Sequence, residues 1–150
     1  MAPKYGIVIP AYNRSKYLRQ ALTSCVKQTA DDLEIIVSDD CSPEDLRSVA
    51  DSFHDSRVKY YRSECRLGAA KNHQHAVSLS MAPYVIALHS DDILLPECLE
   101  IAGAALDHHP TASAVYFSHT YLLGAKVQGF HPVPTVRFAD ARTLRENPWL

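Results

Sequence analysis

The strongest constraint on the fold is an alternation of short apolar runs with longer amphipathic segments. Strands of a parallel sheet, covered on both faces, read as short apolar runs, and helices show apolar residues at one-face spacing. Strands separated by helices predict βαβ units and a mostly parallel sheet flanked by helices. The predicted strands are residues 5–9, 33–37, 57–61, 84–88 and 114–123, and the predicted helices are 15–28, 43–53, 67–80 and 96–108.

The C-terminal part predicts a different local structure. Gly124 can turn the fifth strand back through residues 126–130, which predicts an antiparallel pair. A short helix is predicted over residues 139–147. We find no linker or internal repeat, so the prediction is a single domain over residues 1–150.

Composition excludes several classes of protein. The 150 residues are 47% hydrophobic and carry a net charge of −2, which is typical of a soluble domain and disfavours a nucleic-acid partner. The apolar runs are too short for a transmembrane segment, and the N-terminus lacks the features of a secretory signal. The cysteines have no metal-ligand spacing and are interpreted as reduced thiols of a cytoplasmic protein. They are Cys25, Cys41, Cys65 and Cys98.

Two acidic pairs each follow a predicted strand. Asp39-Asp40 ends the second strand and Asp91-Asp92 follows the fourth. In open parallel sheets, ligands bind beyond the carboxyl ends of the strands where the strand order reverses. If the order is 3-2-1-4, both pairs and residues 10–14 face one crevice.

Nearby carboxylates repel one another unless a cation compensates their charge. Mg²⁺ and similar hard cations are held by one or two carboxylates together with phosphate oxygens. The alternative is that Asp39 or Asp91 caps a helix, although Ser42 with Pro43 already predicts the start of the second helix.

Residues 66–72, Arg-Leu-Gly-Ala-Ala-Lys-Asn, form a loop leading into a helix. A helix N-terminus with nearby cations suits a phosphate, and the alternative is a solvated first turn. The chain has neither the glycine fingerprint of dinucleotide-binding folds nor a GxxxxGK[ST] loop. A nicotinamide oxidoreductase is therefore disfavoured. A receiver domain is disfavoured as well, because its acidic pair would follow the first strand.

Together these motifs resemble family 2 of the inverting glycosyltransferases, which have the Rossmann-like GT-A fold of nucleotide-diphospho-sugar transferases. Their order and spacing agree over about residues 4–123, and Gln28-Thr29 also fits the pattern. The matching pieces are Val8–Arg14, Glu34–Ser42, Leu67–Asn72 and Ser90–Asp92.

The resemblance implies a nucleotide-sugar site. Tyr12 would lie near the base, Asp40 would accept a hydrogen bond from a ring N–H of uracil, and Lys71 would reach the base or the phosphates. Asp91 would contact the ribose or the donor sugar, and Asp92 would bind Mn²⁺ or Mg²⁺. The segment of residues 10–14 would line the nucleoside pocket, with Pro10, Ala11, Tyr12 and Arg14.

The implied reaction is inverting transfer of a sugar from a UDP-sugar to a hydroxyl acceptor. The general base is assigned neither to Asp140 nor to Glu146 and is expected beyond Leu150, in the acceptor half. The alternative is a nucleotide-sugar-binding domain that binds its ligand without turnover.

The acceptor and the location are left open by the resemblance. A glycan, a lipid-linked molecule or a small molecule each fits as the acceptor, and a cytoplasmic location at the inner membrane face fits as well. One interpretation of three aromatic residues is that they cover a homodimer interface: Phe117, Tyr121 and Trp149. For Phe117 and Tyr121 the alternative is ordinary packing on the sheet.

Overall fold

The computed structural model of the chain describes residues 2–116, 119–123 and 126–131. The chain divides into two compact units, Met1–Glu100 and Ile101–Leu150. The predicted helix over residues 139–147 lies outside the described residues. The elements are β1 Tyr5–Ala11, α1 Ser15–Val26, β2 Leu33–Asp39, α2 Leu46–Asp51, β3 Val58–Arg62, α3 Ala69–Ser78, β4 Tyr84–Ala87, α4 Cys98–His108, β5 His119–Leu123 and β6 Lys126–His131.

The first unit contains a parallel sheet in the order β3-β2-β1-β4. This confirms the mixed α/β class, and it is the order on which the expected crevice depended. Along β1 the register pairs Tyr5 with Leu33 on one side and with Tyr84 on the other. The chain moves outward from β1 to β3 and then crosses to β4, so the strand order reverses between β1 and β4. In the second unit β5 and β6 form the predicted antiparallel pair.

The core lies on both faces of β1 and β2, as their uninterrupted apolar sequences require. Residues of alternating parity point to opposite faces of a strand. One face packs with α1 and α2, and the other packs with α3 around Val8, Ile36 and Ala76. The fully buried side chains of the first face include Ile7, Ile9, Leu18, Leu22, Ile35, Val37 and Leu46.

The start of α2 differs from the prediction. The helix begins at Leu46, and Asp45 caps it by accepting a 3.0 Å hydrogen bond from the Ser48 amide. Ser42 was predicted as the cap, but its hydroxyl donates to the Asp39 carboxylate and accepts from the Asn13 amide. A tertiary partner thus replaces the local capping bond that the sequence suggested.

A buried carboxylate lies near the amino end of the sheet. Glu34 accepts hydrogen bonds from the Lys59 ammonium at 2.7 Å, the Ser80 hydroxyl at 2.9 Å and the Met81 amide at 2.8 Å. Burial alone would raise the pKa of Glu34, but these three donors outweigh it and lower the pKa below its usual 4.5. The bonds tie the segment between α3 and β4 to β2.

None of the helices in the described part of the chain combines the length and the apolar character that crossing a bilayer requires.

We expect Gly6→Ala to destabilise the protein. A Cβ at residue 6 would lie 2.3 Å from the Ser80 hydroxyl oxygen, which is bonded to Glu34. Overpacking of this kind costs about 1–3 kcal/mol of unfolding free energy, and urea denaturation measures it. In a Ser80→Ala background, where the oxygen is absent, the same substitution should cost less. An equal cost in both backgrounds would contradict the proposed clash.

Candidate functional site

A cleft of about 390 Å³ opens at the carboxyl ends of β1, β2 and β4. Its volume is within the range of small-molecule sites. It lies where the strand order reverses, as the sequence predicted. The described residues that line it are Pro10, Ala11, Tyr12, Arg14, Asp40, Arg66, Ala69, Asn72, His73, His89, Ser90 and Asp91.

Asp39 is a structural residue and not part of the cleft lining. Its side chain is fully buried. One carboxylate oxygen accepts from the amide and hydroxyl of Ser42, and the other accepts from the Tyr60 hydroxyl at 2.5 Å and from Arg62 at 2.7 Å. Burial, together with the bond to Asp39, raises the pKa of Tyr60 to about 12. The expectation that both acids of this pair face the crevice is therefore wrong for Asp39.

Asp40, its neighbour, does line the cleft. The side chain is 3% exposed, and its two oxygens accept from the backbone amides of Leu67 at 2.5 Å and Gly68 at 3.0 Å. Gly68 has φ +85°, a conformation that favours glycine, and precedes α3. Asp40 thus fixes the loop between β3 and α3 beside the end of β2, while each oxygen retains a further acceptor site.

Arg14 is held at the cleft by an unusual turn. Asn13 and Arg14 both have left-handed backbone conformations, with φ of 56° and 60°. Arg14 is the N-cap residue of α1 and supplies no side-chain cap. Glu44 takes that role, because its carboxylate accepts from the amides of Arg14 at 3.0 Å and Ser15 at 2.8 Å.

Asp91 reaches the cleft in an ion pair with Arg14, at 3.0 Å. The loop that carries it is anchored further along to Gln28, just after the end of α1. Gln28, which is buried, donates to the carbonyl of Leu95 at 2.8 Å and accepts from the amide of Leu99 at 3.2 Å. Asp92 is exposed and does not line the cleft, so its role as a metal ligand stays a prediction.

Arg66, and not Lys71, is the cation that lines the cleft next to Tyr12. The Arg66 guanidinium is 4.0 Å from the centre of the Tyr12 ring, and both residues line the cleft. Lys71 is exposed on α3 and is not a lining residue. Residues two apart on a helix point to different faces, so Lys71 diverges from Ala69, which lines the cleft. Its predicted contact with the donor stays a prediction.

Two histidines in the cleft wall were missed. His73 and His89 have ring centroids 6.1 Å apart. A signal for His73 was present, because Ala69, Asn72 and His73 share the i, i+3, i+4 spacing of one helix face. His89 follows the predicted fourth strand, residues 84–88, and lies two residues before Asp91, so the strand-end argument that found Asp91 applied to it as well.

The cleft is lined by both positive and negative side chains, which suits an anion that binds together with a cation. Arg14 and Arg66 are fixed positive groups in the cleft, and Asp40 and Asp91 are acidic. Among the described residues, no group of three or more His, Cys, Asp or Glu side chains is arranged to hold a metal ion. Mg²⁺ commonly needs only one or two protein carboxylates, because phosphate and water oxygens supply the rest. Asp91 and Asp92 fit that smaller donor set.

Comparison with known proteins gives consistent results. Residues 6–142 match the family described as Glycosyl transferase family 2. Glycosyltransferase GlyG of Streptococcus pneumoniae is 32% identical over 102 residues, which are 67% of this chain and 34% of that protein. The Escherichia coli protein UDP-Glc:alpha-D-GlcNAc-diphosphoundecaprenol beta-1,3-glucosyltransferase WfgD is 33% identical over 96 residues, or 64% of this chain and 38% of that protein.

A solved structure gives the same fold. S. aureus TarS 1-349 in complex with UDP superposes with a TM-score of 0.67 and 28% sequence identity, covering 71% of this chain and 33% of that one. The chain thus spans about a third of the length of the relatives it matches.

The turn at Arg14 gives a prediction of pH dependence. Hydrogen bonds from the Ser15 amide and hydroxyl and from the Arg14 amide lower the pKa of Glu44 below its usual 4.5. The stability that this cap contributes is therefore complete above pH 4.5 and is lost as the pH falls through the lower folded pKa. In an NMR titration we expect the amide signals of Arg14 and Ser15 to shift with a midpoint below pH 4.5.

Glu44→Gln should remove this transition, and Glu97→Gln, at another exposed position, should leave it unchanged. A midpoint at or above pH 4.5 would show that the carboxylate does not cap α1.

Proposed function

The chain belongs to glycosyl transferase family 2, and from this membership and the geometry of the cleft we propose that it binds the nucleotide part of a UDP-sugar. The proposed activity of the whole protein is transfer of the sugar to a hydroxyl acceptor with inversion, assisted by a divalent cation. The observation that carries the proposal is the convergence of Tyr12, Asp40, Arg14 and Asp91 in one cleft at the strand-order switch.

The nucleoside would bind at the end of the cleft formed by Tyr12, Asp40 and Arg66. Uracil can stack on the Tyr12 ring and donate its N–H to the Asp40 carboxylate, whose remaining lone pairs are available. Arg66 covers the Tyr12 ring in the structure, so the base either enters between the two groups or displaces the guanidinium. Stacking between aromatic and guanidinium planes favours the first arrangement. Pro10 and Ala11 supply the apolar backing.

The diphosphate would bind toward Arg14 and Asp91. The Arg14–Asp91 ion pair is exposed, with side-chain exposures of 62% and 48%. Exposed pairs contribute about 0–1 kcal/mol, so a ligand can separate this one at little cost. Arg14 is then free to donate to a phosphate. The resemblance implies a ribose or sugar contact for Asp91, but because Asp91 pairs with Arg14, we assign it together with Asp92 to Mn²⁺ or Mg²⁺ in this proposal. A bound cation neutralises charge that develops on the leaving diphosphate.

The bond changes follow from this orientation. An acceptor hydroxyl attacks the anomeric carbon of the sugar, the bond to the diphosphate breaks, and UDP leaves with the negative charge. A general base must take the hydroxyl proton. The carboxylates of Asp40 and Asp91 have other roles in this proposal, and Asp140 and Glu146 lie outside the described residues, so the base stays unassigned.

The relatives support UDP as the nucleotide. TarS 1-349 was solved in complex with UDP, and the name of the WfgD relative specifies UDP-Glc as its donor. That name also specifies a diphosphoundecaprenol-linked acceptor. A lipid-linked glycan at the inner membrane face is the corresponding proposal for this protein, with synthesis of a surface polysaccharide as its role.

We expect UDP with Mn²⁺ to stabilise the protein against unfolding. At a ligand concentration about 100 times the Kd, the gain is about 2.7 kcal/mol, and calorimetric titration gives the Kd directly. Asp40→Asn should weaken UDP binding both with and without Mn²⁺, because it removes a charged acceptor worth about 1.5–3 kcal/mol. Asp91→Ala and Asp92→Ala should weaken binding only when Mn²⁺ is present.

Asp51→Ala is the matched control, since Asp51 is an exposed carboxylate on α2 outside the cleft. It should bind UDP as the wild type does. If the variants of Asp40, Asp91 and Asp92 also bind like the wild type, the site assignment is wrong. If Asp91→Ala loses Mn²⁺-dependent UDP binding and Asp92→Ala keeps it, the cation is assigned to Asp91 and Asp92 is removed from the site.

Inversion gives a separate prediction. A protein that transfers glucose from UDP-glucose, whose anomeric linkage is α, should give a β-linked product, because a single displacement inverts the anomeric carbon. The anomeric coupling constant in the NMR spectrum of the product distinguishes the two linkages. An α-linked product would contradict inversion. If the protein binds UDP but no acceptor causes release of UDP from the sugar donor, the alternative of a binding domain without turnover is favoured.

A further inference from the structure

Two cysteines adjoin residues at the nucleoside end of the cleft. Cys41 directly follows Asp40, and Cys65 directly precedes Arg66. Cys41 is partly exposed and Cys65 is exposed, and neither is in a disulfide. Each therefore adjoins a cleft residue and is accessible to a small reagent.

The two residues are close in space. The Cys41 sulfur lies 3.7 Å from the backbone oxygen of Glu64. Planar peptide geometry places the Cα of Cys65 about 2.8 Å from that oxygen. The Cys41 sulfur therefore lies within about 6.5 Å of the Cys65 Cα, so closing a disulfide requires a shift of a few ångströms.

The loop that carries Cys65 can make such a shift. It is anchored on one side by the bond from the Ser63 amide to the Asp39 carbonyl, at 2.9 Å, and on the other by the bond from the Leu67 amide to Asp40. Between these anchors, Glu64, Cys65 and Arg66 are exposed.

The other two cysteines do not compete for an oxidant. Cys25 is fully buried, and burial raises the pKa of its thiol to about 12. Burial also raises the pKa of Cys98. Cys41, in contrast, has the guanidinium of Arg62 at 3.8 Å from its sulfur, and electropositive neighbours of this kind are typical of reactive thiols.

We propose that Cys41 and Cys65 form an oxidisable thiol pair, a modification site at which a small-molecule disulfide such as glutathione disulfide closes a Cys41–Cys65 bond. The Cys41 thiolate attacks one sulfur of glutathione disulfide and expels one glutathione thiolate. The Cys65 thiolate then attacks the Cys41 sulfur of this mixed disulfide and expels the second. The protein loses two protons and two electrons, and the two electrons reduce glutathione disulfide to two glutathione molecules.

The consequence for the cleft rests on the proposed function. Closure draws Cys65 toward Cys41 and so moves Arg66 relative to the Tyr12 ring, on which its guanidinium lies. We expect the oxidised protein to bind UDP severalfold more weakly than the reduced protein, and dithiothreitol to restore the affinity.

The test treats the purified protein with glutathione disulfide and maps its peptides by mass spectrometry without reduction. The expected result is a peptide pair joined through Cys41 and Cys65. In Cys65→Ser, which lacks the second thiol, glutathione should remain attached to Cys41. Cys98→Ser is the matched control and should form the bond as the wild type does.

Separate glutathione adducts on Cys41 and Cys65, or a bond between two molecules, would overturn the thiol pair whether or not the protein binds UDP. If the bond forms and calorimetry gives equal UDP affinities for the oxidised and reduced proteins, the coupling to the cleft is wrong. Failure of the reduced protein to bind UDP at all would instead count against the proposed function, since peptide mapping is independent of it.

Discussion

The buried carboxylate of Asp39 is the interaction on which the rest of the cleft depends. A charge without partners in the interior would cost several kcal/mol, so its hydrogen bonds must form together. Its partners Tyr60 and Arg62 belong to β3, while Ser42 belongs to the turn after β2. Ser42 in turn accepts from the amide of Asn13, beyond β1. One side chain therefore fixes the relative positions of three strand ends.

The adjacent Asp40 shows why two neighbouring acids serve different purposes. Successive side chains of a strand point to opposite sides, so an acid pair at a strand end places one member inward and leaves the other at the rim. Asp40 accepts from two backbone amides of the loop before α3. These bonds hold the carboxylate in one orientation before any ligand arrives, which reduces the entropy that binding would otherwise lose.

The sequence was sufficient for the parallel sheet and for the edge at which the cleft lies, because both follow from βαβ connectivity and from apolar runs that end in acids. The strand order entered only as a condition, since several orders satisfy the same connectivity. The sequence was insufficient where a residue's role depends on a distant partner. Ser42 carries every local mark of a helix cap, yet its hydroxyl accepts from the amide of Asn13, a residue 29 positions away in the sequence. Arg66 and Lys71 are both cations near one loop, and only their positions relative to the first turn of α3 separate them. The acceptor-binding part and the general base stay predictions, because none of the described residues tests them.

The turn at Arg14 connects local strain with ligand binding. A left-handed conformation is uncommon for residues other than glycine, and it is retained at Arg14 because Glu44 binds the amides of Arg14 and Ser15. This backbone directs the Arg14 side chain to Asp91, with which it forms an exposed ion pair of little net stability. The strain is thus balanced by Glu44 and not by the ion pair. Under the proposed function, a ligand takes both Arg14 and Asp91 without releasing the turn. The proposed binding thus replaces an internal salt bridge with phosphate and cation contacts while the backbone stays fixed.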